Sequence, residues 1–276
     1  MSGLSGLEHF APEICSLICQ DPNFERPDLN SICFISHTFR KQAQRILYHR
    51  FPCLRGTNHI KSWCLSLKRR PHIALDVQEL VLLMPSPSAF HADHTARLVR
   101  ALQMCVNLKE LAVLPHRRKA RLQEDAVDIS AYMLDSLPCT LTKFVNDYFS
   151  QSTCFTSFLQ SQPMLQTLEL HSRGWYYHYG VPFHYLKTLS CPPQFHVSFT
   201  GVERLRLDFE NSEERWGCNL TFGGGRSLKS LAMFLTKNPK GKEEQRDLVE
   251  MMGFIALSVP QIKHLQIHQF IPVVRP

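Results

Sequence analysis

His91 and His94 stand three residues apart in a stretch with helical apolar spacing, which puts two imidazoles on one helix face. Zinc needs three or four protein ligands, and no further ligand lies nearby at a usual interval. The pair therefore reads as surface histidines. His264 and His268 flank a strand and project to one side of it, because their separation is even. A metal or a pH-sensitive surface could use such a pair. The chain holds ten cysteines, at 15, 19, 33, 53, 64, 105, 139, 154, 191 and 218, and no two form a C-x-x-C pair. Cysteine catalysis needs a histidine partner and a third orienting group, and among fourteen histidines no pairing stands out. Neither a G-x-S-x-G elbow nor an H-E-x-x-H helix is present. Gly223-Gly224-Gly225 lacks the spacing of a phosphate-binding loop and reads as a tight turn. These residues point away from an enzyme, and no metal or cofactor is expected.

Two segments suit binding better than catalysis. Trp175, Tyr176, Tyr177 and Tyr179 crowd into five positions that end at Gly180. Trp and Tyr are rigid, amphipathic and enriched at binding hot spots, so these four are the candidates for contact with a target protein. The run His116-Arg117-Arg118-Lys119-Ala120-Arg121 is the densest basic stretch, and Lys237–Lys242 is a second polar one. Both read as solvated loops. The first could also serve as a nuclear-localisation or acidic-partner patch. Aromatic and basic residues do not interleave along one surface, which argues against a nucleic-acid partner.

The elements that carry these residues must come from a chain of 276 residues, 44% of them hydrophobic. That allows a sizeable core and excludes bulk disorder. The net charge of +7 is spread along the chain and only weakly favours an acidic partner. Met1–Glu8 lacks the basic start and apolar stretch of a signal peptide, and no window approaches eighteen unbroken apolar residues. No membrane association is expected. The expectation is a soluble protein of the cytoplasm and/or nucleus, with its cysteines reduced and buried.

Residues 10–51 read as three short helices. Pro12 suits a first helical turn, and Ile14, Leu17 and Ile18 follow as one apolar stripe. The stretch from Asp21 to Pro27 breaks that helix. Asp28 is the expected cap of a second helix, with Leu29, Ile32, Cys33 and Ile35 as its apolar set. Ser36 caps the third, where Phe39, Ala43, Ile46 and Leu47 recur at helical steps, and Pro52 ends it. Helices this short bury little surface among themselves, so part of their apolar surface must pack elsewhere. Either the rest of the chain or another protein could cover it.

The order of these residues resembles an F-box. Phe10, Pro12, Glu13 and Ile14 fill the family's opening, where Phe10 stands in place of the usual Leu. The family's first loop also carries more apolar residues than this one. Asp28-Leu29, Ile35-Ser36-His37-Thr38-Phe39-Arg40, Ala43 and Leu47-Tyr48 match the later pattern. The closing residues look most like those of basidiomycete fungi. The resemblance implies a module over 8–52 that docks on a Skp-type adaptor and, through it, on a cullin. It also implies that Pro12, Ile14, Leu17, Ile18, Leu29, Ile32, Ile35 and Phe39 are its adaptor-facing or module-core positions. Such docking is helix-in-groove recognition, with apolar anchors inside a polar rim.

Beyond residue 53 an apolar-x-x-Leu-x-apolar unit recurs. Its copies are Val77–Leu82, Leu108–Val113, Leu165–Leu170, Leu186–Cys191, Val202–Leu207, Leu228–Met233 and Ile262–Ile267. Leu141-x-x-Phe144 is a weaker eighth, with Asn146 in its last apolar slot. The Leu-x-Leu part alternates as a strand does. Helical spacing over His91–Cys105, Cys154–Gln160 and Asp247–Leu257 precedes some of the copies. The gaps near 189 and 205 are too short for helices. Helix, turn and strand repeated in this way resemble leucine-rich repeats. The expected fold is α/β: the three-helix module, then an irregular solenoid over 53–276, a horseshoe with a parallel sheet. An open doubly wound sheet is the alternative. No capping helix is visible after the last unit, so an exposed edge or a partner is expected there, with Pro272–Pro276 as a possible cover.

The reading is a substrate receptor: the first module would hold a ubiquitin ligase and the repeats a target protein. A repeat scaffold whose N-terminal module recruits no cullin is the second reading.

Overall fold

Two prolines and two carboxylates set where the first helices begin. In the computed structural model α1 spans Pro12–Cys19, with Pro12 and Glu13 in its first turn. The model describes residues 10–49, 53–86, 90, 92–116, 133–134, 137–149, 152–171, 183–192, 201–209, 227–235, 253, 255–257 and 259–269. Helix α2 spans Arg26–Ile32. Its cap is Glu25, not Asp28, and the two close a reciprocal box in which the Glu25 N–H donates to Asp28 Oδ2 at 2.9 Å. Pro27 explains the difference. Its fixed φ suits a first turn, so the helix starts before it rather than after it. Helix α3 spans His37–His49, and Ser36 Oγ accepts the Phe39 N–H at 3.3 Å. Helices α1 and α2 both pack on α3. Arg26 ties α2 to the far end of α3 by donating from Nη2 to the Leu47 carbonyl at 3.2 Å.

A second unit starts with strand β1, Leu54–Arg55, followed by α4, Gly56–Arg69. Gly56 has φ +69°, the left-handed region, which glycine enters without the steric cost of a Cβ. Neither element was expected from the sequence; β1, with only two residues, carries no period to read. Ile60, Trp63, Cys64 and Leu67 form the buried stripe of α4. A 3₁₀ segment at Pro71–Asp76 leads into β2, Glu79–Met84.

The remaining elements are α5 (Ala92–Met104), β3 (Glu110–Pro115), β4 (Lys143–Asn146) and α6 (Thr153–Gln160). Strands β5 (Thr167–Leu170), β6 (Thr188–Cys191), β7 (Arg204–Phe209), β8 (Ser230–Leu235) and β9 (His264–Gln269) follow. Both expected helices before β3 and β5 are present within a residue or two of the predicted bounds. Of the third, residues 253 and 255–257 are helical and the others lie outside the described residues. No described residue between β5 and β7 is helical.

The fold is α/β, and the nine described strands form one parallel sheet in chain order, β1 to β9. A doubly wound sheet reverses direction at a switch point, and this order has none. The recurring unit sets the register. Leu80, Leu111, Phe144, Leu168, Leu189, Leu205, Leu231 and Leu265 pair strand to strand as one ladder. The uneven sequence spacing is taken up in the connections. From β2 to β8 the ladder is buried, with Phe144, Leu168, Leu189 and Leu231 at 0% exposure. Phe155 and Phe158 of α6 pack their rings 5.9 and 5.1 Å from that of Phe144.

Asn146 keeps its place in β4 although the slot is apolar elsewhere. It is fully buried, and its Oδ1 accepts the N–H groups of Tyr148 (3.2 Å) and Phe149 (2.9 Å). Its Nδ2 donates to the Phe149 carbonyl at 2.9 Å. The amide thus binds the turn that leaves the strand, which offsets the cost of burying a polar side chain. Gln162 does the same elsewhere, accepting the Leu141 N–H at 2.7 Å.

The module and the sheet have separate cores. Cys15, Cys19, Leu29, Ile32, Phe39, Ala43 and Leu47 form one cluster. The other runs from Leu54 to Val259, with Tyr48 of α3 packed against it. The two units meet at the end of α3, where the Gln78 N–H donates to the His49 carbonyl at 3.0 Å. Arg45 Nε lies 3.7 Å from Asp76 Oδ1 at the same junction. No described helix is long and apolar enough to cross a membrane.

Candidate interaction surfaces

Helix α1 has two apolar faces. Cys15 and Cys19, four residues apart, turn toward α3 and are buried. Ile14, Leu17 and Ile18 turn the other way and stay exposed, Leu17 by 65%. In the bend between α2 and α3, Phe34 is 83% exposed and Ile35 41%. The eight positions read from the sequence therefore divide. Leu29, Ile32 and Phe39 are module core, while Ile14, Leu17, Ile18 and Ile35 face solvent, with Pro12 exposed at the start of α1.

No described residue of the sheet domain covers this stripe. Phe34 and Phe24 were not singled out from sequence. Phe34 sits in the apolar run Ile32–Ile35, where alternation gives no direction, and only the bend turns it outward. Phe10 packs edge-on against Phe39 at 6.3 Å and keeps 39% exposure. Side chains of this size are thus exposed together on one short module.

The second surface is the face of the sheet opposite the buried ladder. Its residues alternate with the buried ones. On β2–β4 a row of Glu79, Glu110 and Lys143 opens it, and beyond that row it is apolar: Val81 and Leu83, Ala112 and Leu114, Val145. From β5 onward it turns polar and charged. Register sets Glu169, Ser190 and Arg206 side by side, and Asp208, Phe234 and His268 in the next row.

His171, just beyond β5, sits between two carboxylates. Its Nδ1 lies 3.2 Å from Asp208 Oδ2 and its Nε2 lies 3.5 Å from Glu169 Oε2. Hydrogen bonds to Asp208 and then Glu169 outweigh burial and push its pKa up to about 9, so the ring is an imidazolium at neutral pH. Burial alone would raise Asp208, but hydrogen bonds from His171 and Arg206 outweigh it and hold the carboxyl below its ordinary range. The hydrogen bond from His171 lowers Glu169 likewise. Ser190 Oγ donates to Asp208 Oδ2 at 3.4 Å, and Arg206 Nε donates to its Oδ1 at 2.8 Å. The Arg206 guanidinium carbon lies 3.8 Å from the centre of the Phe234 ring. Phe234 in turn stacks on His268 at 4.4 Å and 11°.

Within this cluster two cations, His171 and Arg206, stand against two carboxylates, Asp208 and Glu169. The described residues hold no group of three His, Cys, Asp or Glu that could bind a metal ion. His264 and His268 do lie on the same face, and His268 is occupied by Phe234 and by Gln266, whose Oε1 is 3.4 Å away. Burial raises the thiols of Cys64 and Cys139 to about 11 and that of Cys105 to about 12, which keeps them protonated and poorly nucleophilic. Cys154 departs from the expectation of burial and is exposed at the start of α6.

The aromatic run of Trp175, Tyr176, Tyr177 and Tyr179 lies outside the described residues, as do residues 117–121 of the basic stretch, Lys237–Lys242, Gly223-Gly224-Gly225, His91, Cys218 and Pro272–Pro276. At the last strand the ladder opens: Leu265 is 40% exposed and Ile267 42%.

Comparison with known family models, with curated proteins and with solved structures returns no match to this chain.

Proposed function

We propose that the chain is a substrate receptor of a Skp–cullin–F-box ubiquitin ligase, docking on the adaptor through its N-terminal helices and on a target protein through the sheet domain. The observation that carries the reading is the exposed stripe Ile14, Leu17 and Ile18, together with Phe34 and Ile35, on a module that already has its own core. A module that needed those side chains for its own stability would bury them. The ladder of eight in-register repeat positions supports the rest: stacked units of leucine-rich-repeat type share one core and leave a broad sheet face free. Such a protein does no chemistry. It raises the rate of ubiquitin transfer by holding a target lysine near the charged enzyme.

Co-purification with a Skp-type adaptor and its cullin tests this. Each apolar anchor fully buried in a partner contributes about 1.5–3 kcal/mol. Ile14→Asp/Leu17→Asp should therefore weaken adaptor retention by about a hundredfold or more. Both residues face solvent, so the melting temperature should hold. Equal retention of adaptor by wild type and double variant, or none by either, refutes the adaptor role. In that case the second reading stands, a repeat scaffold that recruits no cullin.

A further inference from the structure

Over β6–β9 the open face and the strand edge beside it gather more cations than carboxylates. We propose that this half of the sheet docks an acidic, extended segment of a partner protein, with the terminal amino groups of Arg206 as anchor and Lys187, Arg204 and Lys263 as flanking cations.

Arg206 is fixed before any partner arrives. Nε is held by Asp208 at 2.8 Å, and the guanidinium carbon sits 3.8 Å from the centre of the Phe234 ring, which His268 backs from the next strand. This uses Nε alone. The two terminal amino groups have no partner among the described residues, and the side chain is 45% exposed. A guanidinium held in this way loses little freedom when it takes a carboxylate through two parallel N–H bonds.

The flanking cations follow the strands. The Lys187 carbonyl accepts the Glu203 N–H, the Glu203 carbonyl accepts that of Lys229, and the Lys229 carbonyl accepts that of Lys263. Four residues at the starts of neighbouring strands are thus set side by side, roughly 4.8 Å apart. Three of them are lysines. Glu203 is taken by Lys229 at 3.0 Å. Lys187, Arg204 and Lys263 are exposed and make no ion pair with any described residue. A chain crossing the strands would meet Lys187 at one end of this row and Lys263 at the other, with Arg204 next to the Glu203–Lys229 pair between them.

The chemistry favours a peptide over a nucleic acid. Glu169, Glu203 and Asp208 stand among the cations, and a mixed segment can set neutral side chains opposite them, which the unbroken charge of a phosphate backbone cannot. Phe234 is the one described aromatic on the open face of β6–β9, and Arg206 and His268 already occupy it, which leaves no platform for a base. The same face runs on into Val145, Ala112 and Leu114, which suit the apolar side chains of a mixed acidic and apolar segment. The proposal holds whether or not the N-terminal helices engage an adaptor, and its test uses no adaptor.

The full chain is titrated into three labelled probes of equal length and followed by fluorescence anisotropy. They are a peptide of glutamate interspersed with leucine, its lysine counterpart, and a single-stranded RNA. The acidic peptide should bind tightest and weaken as salt is added. Arg204→Glu/Lys263→Glu reverses two exposed charges without touching the core, and should reduce that affinity on the order of tenfold or more. Lys68→Glu, exposed on α4, should leave it unchanged. Arg206→Met should also weaken binding, with its melting temperature recorded beside it. The proposal is overturned if the acidic peptide binds no tighter than the lysine peptide, if the RNA binds tighter than either, or if the double variant binds the acidic peptide as wild type does.

Discussion

Raising the pH should loosen the sheet domain through one side chain, His171. Its pKa rises from the ordinary 6.5 to about 9 because Asp208 and Glu169 both bind the protonated ring. At about 1.36 kcal/mol for each pH unit, that rise corresponds to about 3 kcal/mol of folding stability. The imidazole is 26% exposed and Asp208 17%, so water screens the group only in part, and about 2–3 kcal/mol is the working figure.

The sign follows from the direction of the rise. Below pH 6.5 the ring is protonated in both folded and unfolded chains, and the contribution is present in full. Above 6.5 the unfolded chain gives up its proton first, and the contribution drains away until the folded ring deprotonates near pH 9. The two carboxylates act at the other end. Both are held below their ordinary range, so their contribution is present above about pH 4 and is lost as pH falls through the depressed values.

Urea unfolding of wild type and His171→Gln, repeated from pH 6 to pH 9.5, gives the stability gap between them. The gap should be widest near pH 6 and narrow by about 2–3 kcal/mol at the alkaline end. A gap that stays constant across that range would show that His171 takes up no proton between the two carboxylates, and the electrostatic account of this face would fail. Glu110, Lys143 and Arg206 are the other charged side chains nearby on the open face. They are common to both proteins, so the change in the gap is assigned to the histidine.

Two further outcomes test the ladder. Asn146→Leu makes the weakest copy match the apolar pattern, yet it should destabilise the chain by about 2 kcal/mol or more, because the turn after β4 loses two acceptor bonds and one donor bond; thermal melting in which the variant equals or exceeds wild type would contradict this. Leu231→Ala should cost about 2–5 kcal/mol, since the side chain is fully buried, whereas Leu265→Ala at the 40% exposed end should cost less than half as much; equal losses on chemical unfolding would mean that the last strand is packed as tightly as the middle.

Much of this architecture is written in local periodicity. The positions 80, 111, 144, 168, 189, 205, 231 and 265 could be picked from the sequence because each opens a Leu-x-Leu alternation, and alternation is what a half-buried strand requires. The helices at Ala92–Met104 and Thr153–Gln160 carried equally clear stripes. Strand β1 did not, because two residues contain no period to read. The start of α2 was misplaced because a proline can end one helix or open the next. The capping box of Glu25 and Asp28 settles the choice, through side-chain geometry that the residue order only hints at. On α1 the stripe Ile14, Leu17 and Ile18 was correctly seen as apolar. Its direction was not legible, since Cys15 and Cys19 offer a second apolar face and only packing against α3 decides which one is buried.

The charged cluster on the open face had no comparable signal. Arg206-Leu207-Asp208 looks like any polar alternation around a buried leucine, and His171 lies 37 residues before Asp208. What joins them is register. Pairing Thr167 with Thr188 and Thr188 with Arg204 fixes every later pair on those strands, and a slip of one residue would send Asp208 into the core and Leu207 to the surface. The buried leucines enforce that register, because each is held in a ladder with neighbours on both sides. The core therefore positions the surface. The apolar repeat is what holds a histidine between two carboxylates and an arginine over a phenylalanine ring.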